Sequence, residues 1–306
     1  MSEERQSNSI FKQRRFAFLI SEFHDIMTTN SDPQITHDSA LPSDDLEPLS
    51  YLAKPSGTCC ITGSIHSGSP QGSFTSLSGV ETYISRPPKE KTNGNILLYF
   101  PDVWGMFPNS LLIMDAFADA GYLVLGIDYF RGDPVYKHRQ HANDTEAEPG
   151  FDYEAWKAKH TSVAADAVPK WVQAAKQEYG KPGTKFACVG YCFGAPYVCD
   201  QLADSGICTA GAFAHPAFLK EHHFRNLRRP LFLSCADVDH TFDTESRNKA
   251  IGVMLEAKVE YHVQLFSGVQ HGFAMRGNME DKYERWVKEK SLSGIVEWLD
   301  FWLDVE

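Results

Sequence analysis

The stretch at residues 185–200, KFACVGYCFGAPYVCD, carries the pattern that decides the fold. Its first part is a short apolar run, which is typical of a strand buried on both faces of a parallel sheet. A Gly-x-Cys-x-Gly motif follows at 190–194, and Pro196 then suits the first turn of a helix. A nucleophile on a sharp strand-to-helix turn has strained backbone geometry, so small residues must stand two positions before and after it. The stretch therefore predicts a turn that projects Cys192 at the carboxyl edge of a sheet.

Strand-like and helical segments alternate on both sides of this stretch. Apolar runs that predict buried strands lie at 95–100, 122–128, 211–215, 230–235 and 259–266, with shorter candidates at 60–66 and 79–85. Helical spacing marks 109–120, 161–179, 245–257 and 291–303. Because parallel strands are joined by helical crossovers, this alternation predicts an α/β architecture with a mainly parallel central sheet and helices on both faces.

The first 50 residues differ from the rest in composition. Residues 29–50 are rich in Ser, Asp, Pro and Thr and lack hydrophobic periodicity, whereas 16–27 could form a short amphipathic helix. We predict an N-terminal extension over 1–50, partly disordered or a short helix, and one folded domain over 51–306. The polar start is unlike a secretory signal and no apolar run approaches about 18 residues, so a cytoplasmic location without a membrane is expected.

Composition excludes several functions. The chain has 306 residues, with 29 Lys and Arg against 40 Asp and Glu, giving a formal net charge of −11, which disfavours a nucleic-acid partner. Seven cysteines form no CxxC pair, so unbridged thiols in a reducing compartment are expected. No His/Cys cluster has metal-ligand spacing, so we predict no metal and no cofactor. The expected partner is a small molecule, and the expected state is a monomer or homodimer.

Cys192 is the candidate nucleophile. A thiol at this turn would lie over the positive end of the following helix, which stabilises a thiolate; the alternative is a buried structural cysteine. A nucleophile needs a base and an acid that orients it, and two loops after predicted strands, 236–242 and 267–273, supply them. His271 is the candidate base. The residues alone leave the acid open between Asp237 and Asp239.

Three separated motifs together resemble the dienelactone hydrolase family, in its eukaryotic, fungal-type branch. They are GYCFG at 190–194, DHTF at 239–242 and HGFAMRG at 271–277, in that order. The resemblance implies an α/β-hydrolase fold, a cysteine nucleophile and hydrolysis of lactones or related esters. It also implies that the acid directly precedes a histidine, which favours Asp239.

The resemblance implies further roles at the end of the strand predicted over 95–100. Asp102 stands where family members have an acidic residue that interacts with the resting thiol, so it is a candidate for gating that thiol. The backbone N–H groups of Val103 and Phe193 are the expected oxyanion hole.

Four more residues are candidates for substrate binding. Arg131 and Arg276 lie near the positions of family arginines that could hold a carboxylate, with a surface location as the alternative. Trp104 and Tyr191 are candidates for the pocket wall.

These residues favour a cysteine-dependent hydrolase that works through a thioacyl-enzyme intermediate, with Cys192, His271 and Asp239 as its triad. One alternative is a thioesterase or acyl-transfer enzyme of secondary metabolism. Another is a non-catalytic ligand-binding protein on the same fold. The order of nucleophile, acid and base along the chain favours an enzyme.

Overall fold

The strands carry the candidate site residues at or beyond their carboxyl ends. The computed structural model describes residues 51–139 and 146–305, so the expectation for 1–50 lies outside the described residues. The strands are β1 (Tyr51–Ala53), β2 (Ser73–Leu77), β3 (Val80–Ser85), β4 (Ile96–Phe100), β5 (Leu123–Ile127), β6 (Phe186–Tyr191), β7 (Ala210–Ala214), β8 (Leu219–Lys220), β9 (Leu231–Val238) and β10 (Tyr261–Gln270). The α-helices are α1 (Pro108–Asp119), α2 (Tyr153–Tyr179), α3 (Ala195–Leu202), α4 (Glu221–Arg225), α5 (Thr244–Glu256), α6 (Phe273–Arg276) and α7 (Lys282–Leu303).

The central sheet has eight strands in the order β10-β9-β7-β6-β4-β5-β3-β2. The pairs from β10 to β5 are parallel, whereas β3 and β2 are antiparallel at one edge. Strands β1 and β8 form a separate antiparallel pair. The predicted mainly parallel sheet is confirmed, and the fold is that of an α/β-hydrolase.

Helices cover both faces of this sheet. Successive side chains of a strand point to opposite faces. On β4, the ring of Phe100 contacts Trp171 of α2 and Tyr197 of α3. The hydroxyl of the preceding residue, Tyr99, lies 3.6 Å from the sulfur of Met275 in α6. Helices α2 and α3 therefore cover one face, and α6 lies on the other.

Some predicted elements differ from the structure. The strand expected over 60–66 is wrong, because Thr58–Ile61 is a 3-10 turn and the chain then continues without regular structure. Strand β2 was not predicted, since it is an edge strand whose first four residues are exposed and show no apolar alternation. Helix α2 begins at Tyr153 rather than 161, and α7 at Lys282 rather than 291, since polar first turns hide both starts.

No helix in the described ranges is both long and apolar enough to cross a membrane.

The turn after β6 has the strained geometry that its glycines predict. Cys192 has a φ of 48°, in the left-handed region that side chains disfavour. A 3-10 turn covers Cys192–Gly194, and α3 starts at Ala195. A Cβ at Gly190 would lie 2.7 Å from the carbonyl oxygen of Gly194, and one at Gly194 would lie 2.2 Å from that of Phe100. The turn therefore excludes any side chain at either glycine.

Gly194→Ala is expected to destabilise the protein by about 1–3 kcal/mol, since backbone atoms of β4 cannot yield to the added methyl group. Gly252→Ala is the matched control. Gly252 lies within α5, and a Cβ there would meet nothing within 4 Å, so the change should stabilise by about 0.5–1 kcal/mol. Urea unfolding of the two variants measures the difference. Equal stability of the two variants would contradict this account of the turn.

Candidate active site

Asp239 and His271 meet just beyond the carboxyl ends of two adjacent parallel strands. Asp239 follows β9 and His271 follows β10. The Nδ1 atom of His271 lies 3.0 Å from Oδ1 and 3.1 Å from Oδ2 of Asp239, and both side chains are 2% exposed. Asp237, the other candidate acid, is partly exposed and its carboxylate accepts the N–H of Gly268 at 2.9 Å. The structure thus brings Asp239, and not Asp237, to the imidazole.

Thr241 completes this arrangement. Its hydroxyl oxygen lies 2.7 Å from Oδ1 of Asp239, 3.0 Å from Nδ1 of His271 and 2.7 Å from the carbonyl oxygen of Pro216. Its backbone N–H also donates to Oδ1 of Asp239 at 2.8 Å. Thr241 therefore holds the carboxylate in place. The DHTF motif contains this residue, but sequence reasoning assigned it no role.

The pair is strongly coupled electrostatically. Burial raises the pKa of Asp239, but the charge of His271 and hydrogen bonds from His271 and Thr241 outweigh it, so the pKa falls below its usual range. Burial lowers the pKa of His271, but the charges of Asp239 and then Cys60 outweigh it and raise that pKa to about 10. The structure favours an imidazolium beside a carboxylate near neutral pH.

The thiol of Cys192 lies close to this imidazole. The sulfurs of Cys60 and Cys192 and a ring nitrogen of His271 all lie within 4.8 Å of one another. Because Asp239 engages Nδ1, the nitrogen that faces the thiols is Nε2. Both cysteines are fully buried. The spacing of cysteines and histidines along the sequence does not indicate that Cys60 lies beside Cys192 and His271, because Cys60 comes from a segment far away in the chain.

That segment, residues 54–64, is called the strap below, because it crosses the site and is tied down on both sides. The N–H of Lys54 donates to the carbonyl oxygen of Thr241 at 2.7 Å. The indole N–H of Trp104 donates to the carbonyl oxygen of Cys60 at 2.7 Å. The N–H of Ser64 donates to the carbonyl oxygen of Arg276 at 3.0 Å. The strap therefore holds Cys60 against the candidate nucleophile.

Asp102 and Arg276 form a buried ion pair next to the strap. Burial raises the pKa of Asp102, and the Arg276 charge opposes that rise. Asp102 also accepts the N–H of Trp104 at 2.9 Å, and the Arg276 side chain donates to the carbonyl oxygen of Thr62 at 3.3 Å. The guanidinium of Arg276 is thus engaged by protein groups.

Of the remaining candidates, three are buried and one, Arg131, is exposed. Val103 is buried, and among the described residues no hydrogen bond engages its backbone N–H. Phe193 is the second residue of the 3-10 turn, where N–H groups have no acceptor within the helix. Tyr191 is buried, and its ring packs 5.4 Å from that of Tyr99. Arg131 is exposed, so the structure does not bring it to the buried residues.

His215 was also missed. It follows β7, is fully buried, and its ring centroid lies 5.0 Å from that of His271. Within the described ranges neither of its ring nitrogens has a hydrogen-bond partner. Burial lowers its pKa well below the usual value, and the charge of His271 adds to this effect. A neutral imidazole therefore packs edge-on against His271.

Known proteins resemble this chain both in sequence and in fold. A family model described as the dienelactone hydrolase family matches residues 80–302. The chain belongs to the dienelactone hydrolase family. This confirms the resemblance drawn from the three motifs. Members of the family cleave ester bonds, and this dienelactone hydrolase-like chain is a hydrolase of that class.

Two fungal relatives and one solved structure illustrate the likeness. "Dienlactone hydrolase 1" of Gibberella moniliformis is 46% identical over 254 residues, covering 82% of this chain and 96% of the relative. "Hydrolase pyvD" of Aspergillus violaceofuscus is 33% identical, covering 81% and 98%. A crystal structure of a putative dienelactone hydrolase from Klebsiella pneumoniae has a TM-score of 0.58 at 13% identity, covering 78% of this chain and 100% of that one. At that identity the structure shows the fold alone.

The imidazolium of His271 should be visible by NMR. Its pKa is raised from 6.5 to about 10 in the folded protein, so the pair with Asp239 stabilises the fold below about pH 6.5 and loses this contribution as pH rises through 10. Asp239→Asn removes the largest favourable charge, and burial should then lower the His271 titration midpoint by at least about one unit. Histidine-selective ¹³C labelling measures the midpoint, and an unchanged value in the variant would contradict the assignment.

Arg276→Met is expected to cost about 3–5 kcal/mol of unfolding free energy, because it leaves the Asp102 carboxylate buried without its partner. The double variant Asp102→Asn/Arg276→Met is the matched comparison. It should cost clearly less than the sum of the two single changes, since both remove the same interaction. Urea unfolding gives all three values. Additive costs would show that the two side chains are not coupled.

Proposed function

We propose that this protein is a cysteine-dependent hydrolase of lactones or related esters, with Cys192 as nucleophile, His271 as base and Asp239 as the residue that orients the base. One observation carries the proposal: Asp239 holds Nδ1 of His271, so that Nε2 faces the thiol of Cys192 on a strained turn. A nucleophile beside a base that a third group orients is the arrangement that acyl transfer requires.

The first step forms a thioester. At the start of this step the proton of the Cys192 thiol is held on Nε2 of His271 as an imidazolium, and the thiolate attacks the carbonyl carbon of the substrate. The tetrahedral intermediate then collapses as the C–O bond to the leaving alkoxide breaks, and the imidazolium returns the proton to that oxygen. In a lactone, the alkoxide stays part of the same acyl group because the ring opens.

The second step regenerates the thiol. His271 removes a proton from a water molecule, which attacks the thioester carbonyl. The C–S bond breaks, the carboxylic acid leaves, and the proton returns to the sulfur. The carboxylate of Asp239 stabilises the imidazolium that forms in each step and keeps the ring oriented.

Two backbone N–H groups suit the negative charge that develops on the carbonyl oxygen. The N–H of Val103 makes no hydrogen bond within the described part of the chain, and that of Phe193 belongs to the second residue of the 3-10 turn that carries the nucleophile. We propose these two groups as the oxyanion hole. Preorganised donors of this kind contribute about 3–4 kcal/mol each to catalysis.

The surroundings favour a substrate without a carboxylate. Arg276 is neutralised by Asp102, and Arg131 is exposed, so neither guanidinium is available for an anionic substrate in this arrangement. The rings of Trp104 and Phe107 pack 4.8 Å apart and are fully buried, so they form part of a pocket wall only if covering groups move. A neutral lactone or ester fits this chemistry. The gating role of Asp102, the cytoplasmic location and the oligomeric state stay predictions.

Cys192→Ala is expected to reduce hydrolysis of p-nitrophenyl acetate and of a neutral aromatic lactone by at least about 10³-fold, because it removes the proposed nucleophile. Cys199→Ala is the matched control, since Cys199 is an equally buried thiol on α3. It should keep its activity. Intact-mass spectrometry of the wild type under rapid quench should show one acetyl group, which peptide mapping places on Cys192.

Two results would contradict the proposal. One is substantial activity in Cys192→Ala, and the other is an acetyl group on a different residue. Comparing the neutral lactone with an analogue that carries a carboxylate tests the substrate class separately. Faster turnover of the anionic analogue would contradict the preference for a neutral substrate.

A further inference from the structure

A second thiol lies within the proposed catalytic centre and has no part in the mechanism above. The Cys60 sulfur, the Cys192 sulfur and a ring nitrogen of His271 lie within 4.8 Å of one another. Both cysteines are fully buried, the His271 side chain is 2% exposed, and the three residues come from three separate segments of the chain. Hydrolysis by a thiol, an imidazole and a carboxylate does not need Cys60, so its place calls for another explanation.

The three groups match the ligand set of a thiophilic metal ion. Zn²⁺ binds thiolates at about 2.3 Å and imidazole nitrogens at about 2.0 Å, so tetrahedral ligation would bring the ligand atoms to about 3.5–3.8 Å from one another. The three atoms already lie within 4.8 Å, so rotation of the thiols and small shifts of the strap would close the site. Two cysteines and one histidine leave the fourth position for water.

His271 is oriented as a metal ligand requires. Its Nε2 atom is buried and faces the two thiols, and the Cys60 side chain interacts with the imidazole, so a metal ion that binds there takes the place of the proton on Nε2. Its Nδ1 atom is held by Asp239 at 3.0 Å. A carboxylate that accepts from the other nitrogen of a histidine is the usual outer partner of a zinc-bound imidazole.

The charges around the cluster also suit a divalent cation bound to two thiolates. Arg276 and Asp102 neutralise each other beside the cluster. Two thiolates and one divalent ion would add no net charge to this buried region, which limits the cost of burying the ion. A cleft of about 500 Å³ borders His271, Arg276 and strap residues Thr62 and Gly63, and an ion that enters there reaches the two buried thiols only if the strap shifts.

We propose that Cys60, Cys192 and His271 form a site for one thiophilic divalent metal ion, typified by Zn²⁺, whose binding inhibits the hydrolase. Binding forms two sulfur–metal bonds and one nitrogen–metal bond, and the two protons shared by the thiols and the imidazole pass to solvent. The bound ion occupies the nucleophile and the base together, so the enzyme cannot form a thioester. The inhibition rests on the proposed function, whereas the metal binding does not.

Direct binding measurements on the full chain, kept reduced with a phosphine, test the site. Titration with Zn²⁺ against a chromophoric indicator should give one ion per chain in the wild type. Cys60→Ser and Cys60→Ala should each weaken Zn²⁺ binding by at least about 10- to 100-fold. Removing a residue that only hydrogen-bonds to a metal ligand already causes a loss of this size, and Cys60 is proposed as a ligand itself. Cys199→Ala, the matched thiol control, should bind as the wild type does.

Cobalt provides a second readout that does not depend on activity. Co²⁺ bound by two thiolates should give an intense thiolate-to-metal charge-transfer absorption, and loss of one thiolate in Cys60→Ser should leave about half of it. Bound Zn²⁺ should also protect Cys60 and Cys192 of the wild type from alkylation, as read by peptide mapping. This last measurement needs no variant to fold.

The proposal is overturned if the wild type binds no stoichiometric Zn²⁺, or if Cys60→Ser and the wild type bind equally tightly. It is also overturned if Zn²⁺ protects neither cysteine from alkylation. Inhibition is measured separately: at ten times the dissociation constant, Zn²⁺ should lower activity about tenfold, reversed by a chelator. If Cys192→Ala hydrolyses as the wild type does, the proposed function fails, while the cobalt absorption still decides the metal site.

Discussion

The close contact between the turn at Cys192 and strand β4 is the constraint on which the site depends. Gly194 lies against the carbonyl group of Phe100 so closely that a Cβ there would be 2.2 Å from its oxygen. The parallel register that pairs Phe100 with Gly190 fixes this contact. The chain leaves β4 directly into Asp102 and Val103, so the same contact places the candidate nucleophile beside the ion pair and the proposed oxyanion donor.

The other half of the site follows from the adjacent strands β9 and β10. Because they are parallel neighbours, the residues after their carboxyl ends share one edge of the sheet, and Asp239 reaches His271 there. Thr241 and the backbone N–H groups around it hold the carboxylate charged despite its burial. The paired strands β9 and β10 thus fix the distance between His271 and Asp239, and the loop after β9 keeps the Asp239 carboxylate ionised.

The strap contributes a second thiol and several hydrogen bonds to the site, neither of which comes from the central sheet. Its residue Cys60 lies beside the fully buried candidate nucleophile, and hydrogen bonds to Trp104, Thr241 and Arg276 help to hold the strap in place. A fully buried thiol can meet a substrate only if covering groups move. The strap also brings Cys60 to the same imidazole that Cys192 uses.

The sequence by itself determined the parallel sheet, the strained turn at Cys192 and the family, because periodicity, glycine spacing and motif order are local properties of the chain. It indicated His271 from its loop, but it could not choose between Asp237 and Asp239 without the family resemblance. Only the tertiary structure placed Cys60 beside Cys192 and paired Asp102 with Arg276. Those contacts join segments far apart in the chain, and the packing that creates them leaves no local pattern in the sequence. The strand wrongly expected over 60–66 shows the same limit, because contacts with distant loops override the local preference of this segment.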